Sequence, residues 1–154
     1  MRSRWMFVAS AVVAAMAFAT SVWVAPWWRI GEVTIGPFSS RHCFGGQCRP
    51  AGLQWIGGSD LWMRSAIATG AAGLIAMMLL LGVAGGFAAR RAPLLVSKMS
   101  LVAIISAVAC AAYFVMRIPD LQGMALGPGL FFFAAGAIIG AAVSLVALRR
   151  HRRA

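Results

Sequence analysis

Apolar positions are gathered into four long runs, and one long polar stretch, residues 27–62, separates the first run from the second. The runs predict helices over 5–27, 61–87, 94–117 and 129–148, each near the ~20 apolar residues that a membrane-spanning helix needs. The remaining segments are loops at 28–60, 88–93 and 118–128 and a basic tail at 149–154. Ala17-Phe18-Ala19 after a basic start also resembles a signal-peptide cleavage site. The apolar run continues through Val22, Trp23 and Val24, however, and exceeds the ~7–15-residue core of such a peptide. Small residues recur at four-residue spacing: Ala11, Ala15 and Ala19; Ala103, Ala107 and Ala111; Gly136 and Gly140. In a membrane this spacing permits close helix contact, and such bundles are mostly left-handed.

Within the polar stretch the pattern changes to period two. Val33 and Ile35 alternate with Glu32 and Thr34, as in a half-exposed strand. Residues 41–49 read as a hairpin turning at Gly45-Gly46, which sets Phe44 opposite Gln47 and Cys43 opposite Cys48. In that register the cysteine pair is non-hydrogen-bonded, with Cα atoms roughly 4.5 Å apart, within disulfide reach. Residues 53–56 offer a further strand. The expected fold is therefore membrane all-α: a left-handed four-transmembrane-helix bundle, one domain over 1–154, with a small extracellular antiparallel β-sheet from the first outer loop.

Composition sharpens this picture. The 154 residues are 62% hydrophobic and only 11% charged, whereas soluble domains carry roughly a quarter charged residues. The net charge of +11 comes without a basic helix interleaved with base-stacking aromatics, so nucleic acid is not an expected partner. The basic residues instead flank apolar runs, where they set topology and meet anionic lipid headgroups. Arg2, Arg4, Arg90, Arg91, Lys98, Arg149, Arg150, Arg152 and Arg153 fall on one side. Arg29, Arg41, Arg49, Arg64 and Arg117, with all three acids, fall on the other. The positive-inside rule makes the first side cytoplasmic, with both termini there, and turns the long loop to the extracellular or periplasmic side. The membrane is then the plasma or bacterial inner membrane. Trp23, Trp27 and Trp28 are expected at the membrane–water boundary, indole N–H groups toward water.

Candidate chemistry is sparse. On the oxidising side of a membrane, Cys43 and Cys48 are expected to form a structural disulfide. The rival is a redox-active pair like those of four-helix thiol oxidases, although these use a tighter Cys-x-x-Cys and a second pair, and only Cys110 remains here. His42 with two cysteines makes a poor tetrahedral zinc site. Asp60 suits the first turn of the second helix and can pair with Arg64 four residues on; Arg117 and Asp120 offer a similar pair. No run carries an acid at its centre, so a small transporter or channel has no obvious coupling residue. No catalytic residue, metal site or cofactor is expected.

Several short motifs along the chain resemble the claudin and peripheral-myelin-protein superfamily of tetraspan membrane proteins. Ala25-Pro26-Trp27-Trp28-Arg29-Ile30 is similar to the Pro-x-Trp-Arg exit of the first claudin helix. Gly36-Pro37-Phe38 followed by Cys43 and Cys48 resembles the family's Gly-Leu-Trp and its two bonded cysteines, with Phe38 in place of tryptophan and a shorter cysteine spacing. Arg64 matches the family's arginine at the outer start of the second helix, and Gly127-Pro128-Gly129-Leu130-Phe131 resembles the Gly-x-x-Leu-Phe start of the fourth. The resemblance implies an outer-face motif of Trp28, Arg29, Gly36, Phe38, Asp60 and Arg64. It also implies a non-enzymatic protein that works through lateral or outer-loop contacts, as a homo-oligomer or an accessory subunit of a larger membrane complex. Phe38, Phe44 and Trp55 are the contact candidates; packing onto the helix ends is the alternative role for each.

Overall fold

The computed structural model describes residues 2–90 and 94–151. Four helices dominate it: α1 (Arg2–Ala19), α2 (Asp60–Ala88), α3 (Leu94–Met116) and α4 (Pro128–His151). All four are long and apolar enough to cross a membrane. Each helix packs against its sequence neighbour, and α4 closes the ring against α1. Ala11, Ala15, Ala107, Ala111, Gly136 and Gly140 are buried and Ala19 and Ala103 half-buried; at Gly136 the Ala14 carbonyl of α1 comes within 3.2 Å of where a Cβ would stand. The turn expected at 88–93 lies outside the described residues from Arg91 to Pro93, as do Arg152 and Arg153 of the expected tail.

The helix starts follow their local chemistry. Ser59 caps α2, its hydroxyl accepting from the Trp62 N–H at 3.2 Å, which satisfies one of the orphan donors of the first turn. Pro128 opens α4, where a missing N–H costs nothing. The end of α1 departs from the expected boundary at residue 27. Its last turn widens over Thr20–Val24 into i→i+5 pairing, the Ala25 N–H donating to the Thr20 carbonyl at 2.8 Å, and the helix stops before Pro26.

Between α1 and α2, and again between α3 and α4, the chain builds one five-stranded antiparallel sheet in the order β4-β3-β2-β1-β5. Its strands are β1 (Trp28–Ile30), β2 (Val33–Ile35), β3 (Ser40–Phe44), β4 (Gln47–Ala51) and β5 (Met124–Leu126). The β3–β4 hairpin has the expected register, with Cys43 opposite Cys48 and Phe44 opposite Gln47. Gly45 and Gly46 both have positive φ, 57° and 80°, the geometry that a two-residue primed turn demands and L side chains resist. Two elements were not expected. β1 follows the widened turn Thr20–Val24 with only Ala25-Pro26-Trp27 between, and β5 lies in what read as a plain loop at 118–128. Conversely, residues 53–56 are not a strand. Gln54–Ile56 form a short 3₁₀ turn that buries Leu53 and Ile56.

The core is densest where sheet and bundle meet. Trp27, Trp28, Trp62, Phe18, Phe114 and Ile35 are all essentially inaccessible, and the rings of Trp27, Trp28, Trp62 and Phe114 pack edge to face or tilted. Phe114 lies 5.0 Å from Trp28, 5.0 Å from Trp62 and 5.8 Å from Trp27, centroid to centroid. Trp27 and Trp28 are therefore fully enclosed core residues, which corrects the half-buried rings expected for them.

Candidate contact surface

The sheet is fastened to the bundle by backbone groups that the sequence leaves without ordinary partners. Because Ala25 donates to Thr20, the Ser21 carbonyl loses its i+4 partner, and the next amide belongs to Pro26, which has no N–H. The Trp27 indole takes its place, Nε1 donating to the Ser21 carbonyl at 3.0 Å and lying 3.1 Å from the Ser21 hydroxyl. Beneath the sheet, Trp62 of α2 does the same for α3 and ties the two helices together: its Nε1 donates to the Phe114 carbonyl at 3.0 Å, one of the last-turn acceptors that a helix cannot satisfy internally. Buried carbonyls without partners would each cost about 1–3 kcal/mol, so these two indoles are hydrogen-bonding as well as packing groups.

The loop before α4 is held in the same place. The Gly127 N–H donates to the Trp27 carbonyl at 2.7 Å and the Gly129 N–H to the Pro26 carbonyl at 2.9 Å. A Cβ on Gly127 would collide with the Pro26 carbonyl, so only glycine lets the two segments touch. That contact aligns β5 beside β1, with Trp28 opposite Leu126.

Beyond this seam the sheet projects. Trp28, Ile35, Ser40 and Ala51 form one cross-strand row, of which the first three are buried and Ala51, on the edge strand, is half-buried. Every residue of β4 except Ala51 is exposed. Cys43 and Cys48 form a disulfide across the hairpin, Cα atoms 4.0 Å apart, and Cys110 is free, partly exposed on α3. The Cys43 amide donates to the Glu32 carbonyl at 3.2 Å, away from β4, as the non-hydrogen-bonded register requires.

Ser40 organises the projecting half. Its hydroxyl donates to the Gly52 carbonyl at 3.0 Å, accepts from Trp55 Nε1 at 2.8 Å, and lies 3.3 Å from His42 Nε2. His42 in turn stacks edge-on with Trp55 at 4.8 Å and with Phe44 at 6.3 Å. Trp55, His42 and Phe44 thus make one aromatic ridge, with Phe44 63% and Trp55 43% exposed. Two of the three contact candidates are brought together, and the linking His42 and Ser40 were not expected among them. Their signal was the strand period: Ser40, His42 and Phe44 share one face of β3.

Phe38 goes elsewhere. It is 38% exposed, but its ring lies over Gly70 of α2 so closely that even a methyl group there would overlap it. It seats the sheet on the bundle. Gly36 starts the tight turn before it, donating to the Ser39 carbonyl at 2.9 Å. Asp60 and Arg64 are both exposed, and neither forms an ion pair among the described residues; nor do Arg117 and Asp120. The expected pairs are absent because water-accessible charges at a loop end gain little from pairing. Arg29, also exposed, stands on the sheet face opposite to Trp28.

No protein-family model matches the chain, and no curated protein is significantly similar to it.

Proposed function

We propose that the chain is a multi-pass membrane protein that acts through protein contacts made by the aromatic ridge of its outer sheet. Its helices carry an inside-out polarity. Thr69, Ser97, Ser100 and Ser144 are buried, while Met16, Ile67, Met78, Leu95, Val102, Phe131 and Ile138 face outward. A contiguous apolar surface on that scale is rare on water-soluble monomers, and lipid satisfies it without further structure. The Ser144 hydroxyl donates to Ser100 across α4 and α3 at 3.2 Å, an interhelical bond of the kind that bilayer-spanning bundles use, while Thr69 donates to the Ser65 carbonyl within α2 at 2.7 Å. In this reading the bundle is left-handed, the termini are cytoplasmic beside anionic headgroups, and the sheet faces the extracellular or periplasmic side.

The observation that carries the contact function is the Trp55–His42–Phe44 ridge. A disulfide and a turn of two glycines fix His42 and Phe44 on the hairpin, and the Ser40 hydroxyl ties Trp55 of the following 3₁₀ turn to it. Aromatic side chains already ordered before binding lose little freedom on contact, and such residues dominate interface energetics. The five-stranded sheet, drawing four strands from the first loop and one from the second, adds to the claudin-like motifs. It supports a non-enzymatic tetraspan role, as a self-assembling contact protein or an accessory subunit. Affinity capture from native membranes tests this. The expected result is a stoichiometric partner, a second copy or a larger complex, retained by the wild type and lost from the Phe44→Ala/Trp55→Ala double variant. Equal recovery with both proteins would remove the ridge from the contact.

A further inference from the structure

A second feature of the sheet end is polar. A cleft of about 300 Å³ opens between the widened last turn of α1 and the face of the sheet opposite to Trp28. Trp23, Val24 and Pro26 line one side of it, and Arg29, Thr34 and Arg41 the other. The strand register makes the second side regular: Arg29 pairs with Thr34, and Thr34 with Arg41. The three side chains therefore leave the sheet on one face in one row. Strand spacing places the two arginine Cα atoms about 10 Å apart with the threonine between, and both side chains are long enough to converge above it. Among the described residues, neither arginine has an ion pair or a side-chain hydrogen bond. Two like charges sharing one cleft repel each other, and that repulsion is relieved by an anion placed between them.

We propose that this cleft binds the phosphate headgroup of an anionic amphiphile. Two guanidinium forks and one hydroxyl provide more donors than a single carboxylate can use, and they suit the several oxygens of a tetrahedral phosphate. The opposite wall supplies the place for the chain: Trp23 is 56% and Val24 78% exposed at the end of α1. The phosphate sits between Arg29 and Arg41 over the Thr34 hydroxyl, and the acyl chain runs down past Val24 along α1. The acyl half rests on the reading of the helices as membrane spans; the phosphate half rests on the sheet alone.

The test is native mass spectrometry of the full chain in uncharged detergent, titrated separately with phosphatidic acid, phosphatidylcholine and inorganic phosphate. The wild type should retain phosphatidic acid, and Arg29→Gln/Arg41→Gln should bind it at least about tenfold more weakly. Thr34→Glu, which sets a carboxylate between the arginines, should also lose it. Arg49→Gln, on the other face of the sheet, should bind as the wild type does. Equal weakening by Arg49→Gln would reduce the effect to net charge and overturn the site. So would undiminished binding by the double variant, and competition by inorganic phosphate at the same concentration would overturn the amphiphile. Alkaline carbonate extraction of the same proteins checks the membrane spans independently, so loss of the site and loss of the spans give different results.

Discussion

The two halves of the sheet are built by different means. The inner half, β5, β1 and β2, lies on the bundle end and is held by burial: Trp27, Trp28 and Ile35 are enclosed, and the Trp27 indole N–H and two glycine amides stitch the seam. The outer half, β3 and β4, has little core to lean on. It is held by a disulfide, a glycine turn and the Ser40 hydroxyl. The lesson is general: a strand that can bury side chains needs no covalent staple, and one that cannot is fixed by cross-links and hydrogen bonds. The half that is not used for packing is the half free to present a surface.

That contrast can be broken from the inside first. Trp27→Ala should destabilise the protein by about 4 kcal/mol, through lost packing, with a further cost from the orphaned Ser21 carbonyl. Trp27→Phe keeps much of the ring and should cost about 1–2 kcal/mol for the lost N–H alone. Denaturation in mixed micelles, followed by tryptophan emission and circular dichroism, measures both. If the two variants were equally mild, the seam would not depend on Trp27. Next in size is Gly127→Ala, which forces the second loop away from Pro26 and should cost about 1–3 kcal/mol. It should also raise amide exchange in β5 selectively, since β5 has no other strand neighbour.

The outer half should respond differently. Cys43→Ser with Cys48→Ser removes a small ring worth roughly 2 kcal/mol on the chain-entropy model. Its consequence should be local: protease cleavage within residues 40–51 with little change in bundle melting. A melting loss as large as that of Trp27→Ala would erase the distinction between the halves. Smallest is Ser40→Ala, at about 1 kcal/mol, which should show as a broadened Trp55 indole N–H resonance while the disulfide remains intact.

The same contrast explains what could be read in the sequence. The four helices and the β3–β4 hairpin were legible because period, length and the Gly45-Gly46 turn act locally. The disulfide was legible because register alone brings Cys43 to Cys48. β1 and β5 were not, since three-residue strands carry no usable period, and their pairing with each other depends on Gly127 and Gly129 letting distant segments touch. Residues 53–56 misled because Leu53 and Ile56 are buried by a 3₁₀ turn, whose three-residue repeat a short apolar stretch cannot distinguish from a strand. Trp27 and Trp28 misled for a related reason. Indole suits both a membrane boundary and a core with a carbonyl to satisfy, and the free Ser21 carbonyl depends on a helix end that widens. Of the contact candidates, Phe38 could be separated from Phe44 and Trp55 only by knowing that Gly70 lies beneath it.

If the ridge of the hairpin and the 3₁₀ turn beside it is the contact surface, site-specific photocrosslinking in native membranes will find the partner there. A photoreactive residue is placed at Phe44, and in parallel at Gln54, which is exposed beside Trp55, and at Ile138 on the outer face of α4. The expected result is a discrete protein adduct from positions 44 and 54 that is stronger than any from 138. Adducts from Ile138 with none from positions 44 and 54 would move the contact to the helices.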